Sequence, residues 1–293
     1  MKTFAVLGLS LLAAVAAADE EHRTVDASPD GIVTISNVAG SISVQGWARE
    51  QVDVTADLGR NVEELIVERD GNEVLVKVKL PRGNHRHSSG GSDLVVRVPE
   101  RSSIKANGVS ADITVNDVYG ALRLQTVSGD VEADAFAADV DVETVSGDVE
   151  IAGDGKDMRA RLSSVSGDID ASGLAGEIEA GSVSGDLTLV RGSFSRATLN
   201  TTNGDMILQA ELRDDGRLDV ETINGEVDID FAGQVSARFD IETFNGRIDN
   251  CFGPQPERTS QYAPGRELIF NEGSGSGRVT IRTLNGDLRL CRD

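Results

Sequence analysis

Thr126-Val127-Ser128-Gly129-Asp130-Val131 is written again, 18 residues on, as Thr144-Val145-Ser146-Gly147-Asp148-Val149. Looser copies centre on Gly167, Gly185, Gly204, Gly225, Gly246 and Gly286, so successive glycines stand 18, 20, 18, 19, 21, 21 and 40 residues apart. A unit this short cannot bury its own apolar face. A period near 20 therefore predicts a stack of similar coils, a solenoid.

The residues around each glycine indicate how one coil is built. Position −7 holds Leu122, Val140, Ala160, Ile178, Ala197, Leu218, Phe239 and Val279, and position −5 is apolar in every unit. The residues between them, such as Asp141, Glu179, Asp219 and Asp240, are mostly polar, which is the alternation of a strand with one buried face. Positions +2 and +4 repeat the pattern after the glycine, Asn250 being the exception. Apolar residues also fill −2 in seven of eight units. They break parity with −7 and −5, so the chain is expected to bend between −5 and −2. Glycine would supply the backbone freedom for that bend, and the preceding Ser or Asn tolerates turn geometry.

Two strands and a bend per unit fit an array of antiparallel hairpins, which Asn-Gly turns favour, or a coil of parallel strands. Each chemical position recurs unit after unit, and length varies only after +5, both of which favour the coil. The expected fold is all-β, a parallel β-solenoid that is right-handed by the rule for parallel crossovers, with rungs of 18 to 21 residues. Upstream, Ala111 takes the glycine place in Val109-Ser110-Ala111-Asp112-Ile113, and Val38-Ala39-Gly40-Ser41-Ile42 is a fainter echo. Alternating segments at 51–58, 64–68, 73–80 and 93–98, with a turn at Gly71-Asn72, predict an irregular all-β N-terminal section or cap over 19–103. Solenoid repeats would follow over 104–293, with a loop insertion near 252–275.

Residues 1–18 carry one cation, Lys2, an apolar run of about 15 residues and then Ala16-Ala17-Ala18 before Asp19. This pattern predicts a secretory signal peptide cut near Ala18 and an exported protein, periplasmic or extracellular. The run is shorter than the ~20 residues that span a bilayer, and nothing later is long or apolar enough, so no transmembrane segment is expected. Beyond residue 18 stand 27 basic against 49 acidic residues, a net of −22. Such a surface repels nucleic acid and anionic lipid.

Cys251 and Cys291 each stand five residues after a repeat glycine, and so occupy one column. Gly277-Arg278-Val279-Thr280-Ile281 restarts an ordinary strand nine places before Gly286, so the 40-residue gap is one rung enlarged by a loop. Neighbouring rungs would bring the two Cα atoms to about 4.8 Å, inside the disulfide range. The expected bond staples the last rung.

At +1 stand Asp130, Asp148, Asp168, Asp186 and Asp205, a carboxylate per rung. Stacked like charges at 4.8 Å repel by ~0.9 kcal/mol in water. Turn N–H groups or a ladder of Ca²⁺ ions could relieve that repulsion, and turn chemistry is the simpler expectation. Otherwise no cofactor is implied. Asn203, Asn224, Asn245 and Asn285 at −1 suggest a stacked turn ladder. The Thr column at −3 would suit ice binding, but charged neighbours at −4 argue against a flat water-ordering face. The histidines are His22, His85 and His87, with no Cys beside them to complete a zinc site. Hydrolytic elbows, phosphate loops and His-Glu-x-x-His are missing from the sequence. Polysaccharide-cleaving β-helices use Asp clusters, yet here the carboxylates repeat uniformly and no group of unlike residues gathers, so no enzyme is expected.

The TVSGDV units at Thr126 and Thr144, the later NGD and NGE units, the opening Ile35–Val44 and Leu94-Val95-Val96-Arg97-Val98-Pro99 resemble the bacterial putative-adhesin β-strand-repeat family, over nearly the whole chain after residue 18. The resemblance implies an exported β-helical domain with an adhesin-like role, and brings no catalytic residues. The expected function is a non-catalytic, envelope-associated binding or scaffold protein, with envelope or extracellular polysaccharide or a surface protein as partner and end-to-end self-association through a terminal rung. The alternatives are a carbohydrate-active β-helix lyase or hydrolase, and a Ca²⁺-stabilised structural module.

Overall fold

The computed structural model describes residues 20–81, 90–260 and 262–292. The expected signal peptide, His85 and His87 lie outside the described residues. Within them the chain is all-β: the strands join one mixed sheet, mostly parallel, and no helix is long and apolar enough to cross a membrane.

Each rung gives one strand to each of two facing walls. On the first wall Val140 lies beside Leu122 on one side and Ala160 on the other. On the second, Val149 lies between Val131 and Ile169. Because neighbours align in register, every apolar column stacks on itself, and positions −7, −5, +2 and +4 fill a narrow core of Val, Ile, Leu and Ala. The weaker upstream copies join the same stack, Gly40 pairing with Ala111 and Ile113 with Val131.

The bend expected between −5 and −2 is present in the rungs of Gly129, Gly147 and Gly167, whose first-wall strands end at Gln125, Glu143 and Ser163, but not in the later rungs. There the strand runs on, as in Ala237–Asn245 and Gly277–Asn285, so −3 faces inward with −5 and −7, and −2 faces out. The apolar −2 column is therefore exposed rather than buried. Thr126, Thr144, Thr201, Thr222, Thr243 and Thr283, which parity places inside, are buried and form no outer face.

Chain order and rung order part company at both ends. The strand Arg278 to Asn285 pairs with Arg217 to Asn224 on one side and Ala237–Asn245 on the other. The Gly286 rung thus sits between the Gly225 and Gly246 rungs, which corrects its expected place at the end of the stack. At the other end Ile32–Trp47 lies between Ser103–Asn116 and an outer rung made of Glu73–Lys79 and Ser92–Pro99. Three of the four end strands are then covered by antiparallel partners. Glu64–Asp70 and Gln51–Asp57 cover the N-terminal rung, and Arg266–Glu272 covers Ala237–Asn245. Open strand edges invite pairing with other chains, and these caps block it there. The 252–275 insertion contributes the C-terminal cap. Phe270 stacks on Phe239 at 4.5 Å between centroids, and Phe252 lies 5.3 Å from Phe239.

Candidate ligand-binding faces

The corner built by the repeat sentence is a set of hydrogen-bonded ladders. An added Cβ at Gly147 would lie 1.8 Å from the carbonyl oxygen of Gly129, and one at Gly167 2.0 Å from that of Gly147. Close approach of one rung to the next, rather than unusual backbone angles, is what demands glycine here.

Beside the glycines each Asp Oδ1 accepts the backbone N–H of the +1 residue one rung on. Asp148 N–H donates to Asp130 Oδ1 at 3.0 Å, Asp168 to Asp148 at 2.9 Å, Asp186 to Asp168 at 2.8 Å and Asp205 to Asp186 at 2.7 Å. One oxygen of each carboxylate is thereby engaged by the turn. At the C-terminal end Arg247 faces Asp287, and its guanidinium holds that carboxyl below the usual range. Among the described residues no three His, Cys, Asp or Glu converge as a metal site would need. Asn224 donates to Asn203, Asn285 to Asn224 and Asn245 to Asn285, each at 2.8 Å. Inside, the Thr126 hydroxyl donates to Ala111 O at 3.0 Å and Thr243 to Gly286 O at 3.1 Å. The equally buried hydroxyls of Thr222 and Thr283 have no partner.

Because an Asp acceptor serves a backbone N–H, Asp148→Ala should lower stability by about 1 kcal/mol, or roughly 2–4 °C in melting temperature. Asp148→Asn, which keeps an acceptor, should lose less. A rise in melting temperature for Asp148→Ala would mean that carboxylate repulsion outweighs the ladder.

Two outward features border this corner. Val38, Val109, Val127, Val145, Val165, Val183, Ile223, Leu284 and Phe244 form a ridge along the stack, each residue 40–48 % exposed. On the first wall, position −8 in the four C-terminal rungs is Arg196, Arg217, Arg278 and Arg238, aligned neighbour to neighbour. Cys251 and Cys291 are disulfide-bonded with Cα atoms 4.9 Å apart, joining the Gly246 rung to the Gly286 rung inside it. His22 lies at the N-terminal cap, its Nε2 2.7 Å from Asp53 Oδ2.

The profile of the Toastrack DUF4097 family matches residues 32–290, from the first two-wall strand to the last. The chain belongs to that family. Among curated proteins none matches the sequence. Solved structures similar to this Toastrack chain include a "putative adhesin" from Bacteroides fragilis, 12 % identical with a TM-score of 0.47, covering 93 % of this chain and 97 % of the other. A "putative lipid binding protein" from Parabacteroides distasonis is 14 % identical with a TM-score of 0.47, covering 92 % and 96 %.

Sequence reasoning missed both outward features of this Toastrack chain for one reason. Hydropathy marks an apolar column such as −2 as core whichever way it faces, and the alternation that defines the strand gives no separate role to the polar −8 column. The signal was present, since Arg stands eight places before Gly204, Gly225, Gly246 and Gly286.

Proposed function

We propose that the chain is an exported, adhesin-like surface-binding scaffold that performs no chemistry and recognises an envelope or extracellular polysaccharide along the length of its stack. The observation that carries this proposal is the set of outward columns. Side chains of one kind repeat at rung spacing, an apolar ridge beside a ladder of carboxylates, which suits an extended partner. Catalysis instead needs unlike groups held within hydrogen-bond reach of one reacting atom.

Export rests on the signal-like residues 1–18. We assign the coils a right-handed winding on the general rule for parallel crossovers, and residues 19–103 the role of an N-terminal cap on the repeats of 104–293. The Asp ladder serves the turns, so neither Ca²⁺ nor chelator should move the melting temperature. A rise with Ca²⁺ would instead assign Asp130, Asp148, Asp168, Asp186 and Asp205 to a cation ladder.

Co-sedimentation of the protein from Asp19 onward with purified envelope and extracellular polysaccharide of its own cells tests the proposal. Saturable pelleting without release of reducing ends is expected. Release of reducing ends would contradict it in favour of an enzyme, and failure to pellet would remove the glycan partner.

A further inference from the structure

The arginines on the N-terminal half of the first wall are paired with carboxylates. Arg123 meets Asp141 at 2.7 Å, Arg159 meets Glu177 at 3.4 Å and Arg161 meets Glu179 at 3.0 Å, each across one rung. The four C-terminal rungs break that habit. Arg196, Arg217, Arg278 and Arg238 are exposed and stacked in register, and among the described residues none lies within 4.0 Å of a carboxylate. Four like charges at about 4.8 Å spacing repel one another, yet on a chain of net charge −21 they stand in an unbroken column.

Beside the arginines the wall is concave. A hollow of about 300 Å³ is lined by Arg217, Arg278, Asp219, Asp240, Thr280 and Arg282. Arg282 is shared with a second groove of about 540 Å³. That groove has the apolar ridge residues Ile223, Leu284 and Phe244 on one side and Glu221 and Glu242 on the other. The trough therefore offers guanidinium forks along one edge, hydroxyl-binding groups in the middle and an apolar wall along the other edge.

We propose that this trough binds a carboxylate-bearing sugar chain laid along the stack, with Arg196, Arg217, Arg278 and Arg238 taking its carboxylates. Guanidinium forks match carboxylates in bidentate geometry. Asp219, Asp240, Glu221 and Glu242 accept from sugar hydroxyls, and their negative charge disfavours a ligand that is anionic across its whole width. Ile223, Leu284 and Phe244 meet the C–H face that sugars present between their hydroxyls. The local charge complementarity selects this occupant over a neutral glycan, which would leave the four guanidiniums unused.

This proposal rests on the glycan-scaffold function above. The test is binding of oligogalacturonate to the protein, measured by calorimetry beside neutral dextran oligomers and inorganic polyphosphate. Wild type should prefer the uronate, and affinity should fall as salt is raised. The fourfold variant Arg196→Gln, Arg217→Gln, Arg238→Gln, Arg278→Gln should lose about tenfold or more in affinity, equivalent to 1.4 kcal/mol. These side chains are exposed, so its melting temperature should stay close to wild type, and Arg217→Gln with Arg278→Gln provides a milder variant. Equal binding by the fourfold variant, or equal binding of dextran or polyphosphate to wild type, would overturn the proposal. If wild type pellets with its own envelope polysaccharide but ignores the uronate, this proposal fails and the scaffold function stands. If it binds neither, both fail.

Discussion

Gly147→Ala is expected to lower the melting temperature by roughly 6–12 °C, the equivalent of about 3 kcal/mol or more. The new Cβ would lie 1.8 Å from Gly129 O, and both sides of that clash are backbone or bonded directly to it. No rotamer can relieve it, so the rungs must separate. That strains Ser146 N–H to Val127 O at 2.9 Å and Asp148 N–H to Asp130 Oδ1 at 3.0 Å on either side of the glycine. Gly181→Ala is the control, since its Cβ would sit 3.3 Å from Asn200 O. It should change stability by no more than about 0.5 kcal/mol. Thermal melts of the two variants check this pair of outcomes, and an equal, small effect at both sites would mean that the glycine column is not a packing contact.

Removing the disulfide with Cys251→Ser and Cys291→Ser should cost roughly 4 kcal/mol on the chain-entropy argument for a 40-residue separation. The loss should be local. The bond ties the outer Gly246 rung to the Gly286 rung, and between its ends lies the segment that folds back as Arg266–Glu272 over the outer edge. Hydrogen exchange should therefore quicken at Ile248–Asn250 and Arg266–Glu272 while Val140–Glu143, deep in the stack, keeps its protection. Reductant on the wild type should reproduce the effect. Uniform loss of protection along the whole chain would contradict this local role.

Much of the fold was legible because a solenoid repeats its instructions. Positions −7, −5, +2 and +4 each occur eight times, so the inward faces and the pairing of Cys251 with Cys291 follow from counting alone. The outward ridge was not legible because hydropathy records only that Val127 or Ile223 is apolar. Strand alternation keeps the Thr or Ser at −3 inside with −5 and −7, and so sends −2 to the surface. The Asp ladder was half legible. Spacing stacked the carboxylates, but only the geometry shows each one holding the next backbone N–H. Rung order was not legible at all, since a parallel column is satisfied equally by the Gly286 strand inside or outside the Gly246 strand. What selects the inner place is the cap, where Phe239, Phe252 and Phe270 close over the outer rung and leave Gly277–Asn285 enclosed on both sides.

The order of the last three rungs decides which side chains stand together on the outer wall, and cysteine cross-linking reads that order directly. Glu221 and Glu242 each pair with Arg282, from opposite sides. Glu221→Cys with Arg282→Cys, and Arg282→Cys with Glu242→Cys, should therefore each oxidise to a disulfide, with Cα atoms near 4.8 Å. Glu221→Cys with Glu242→Cys, two rungs apart, should stay reduced. A bond in that last pair, with none between positions 221 and 282, would place the Gly246 rung next to the Gly225 rung and contradict the order described.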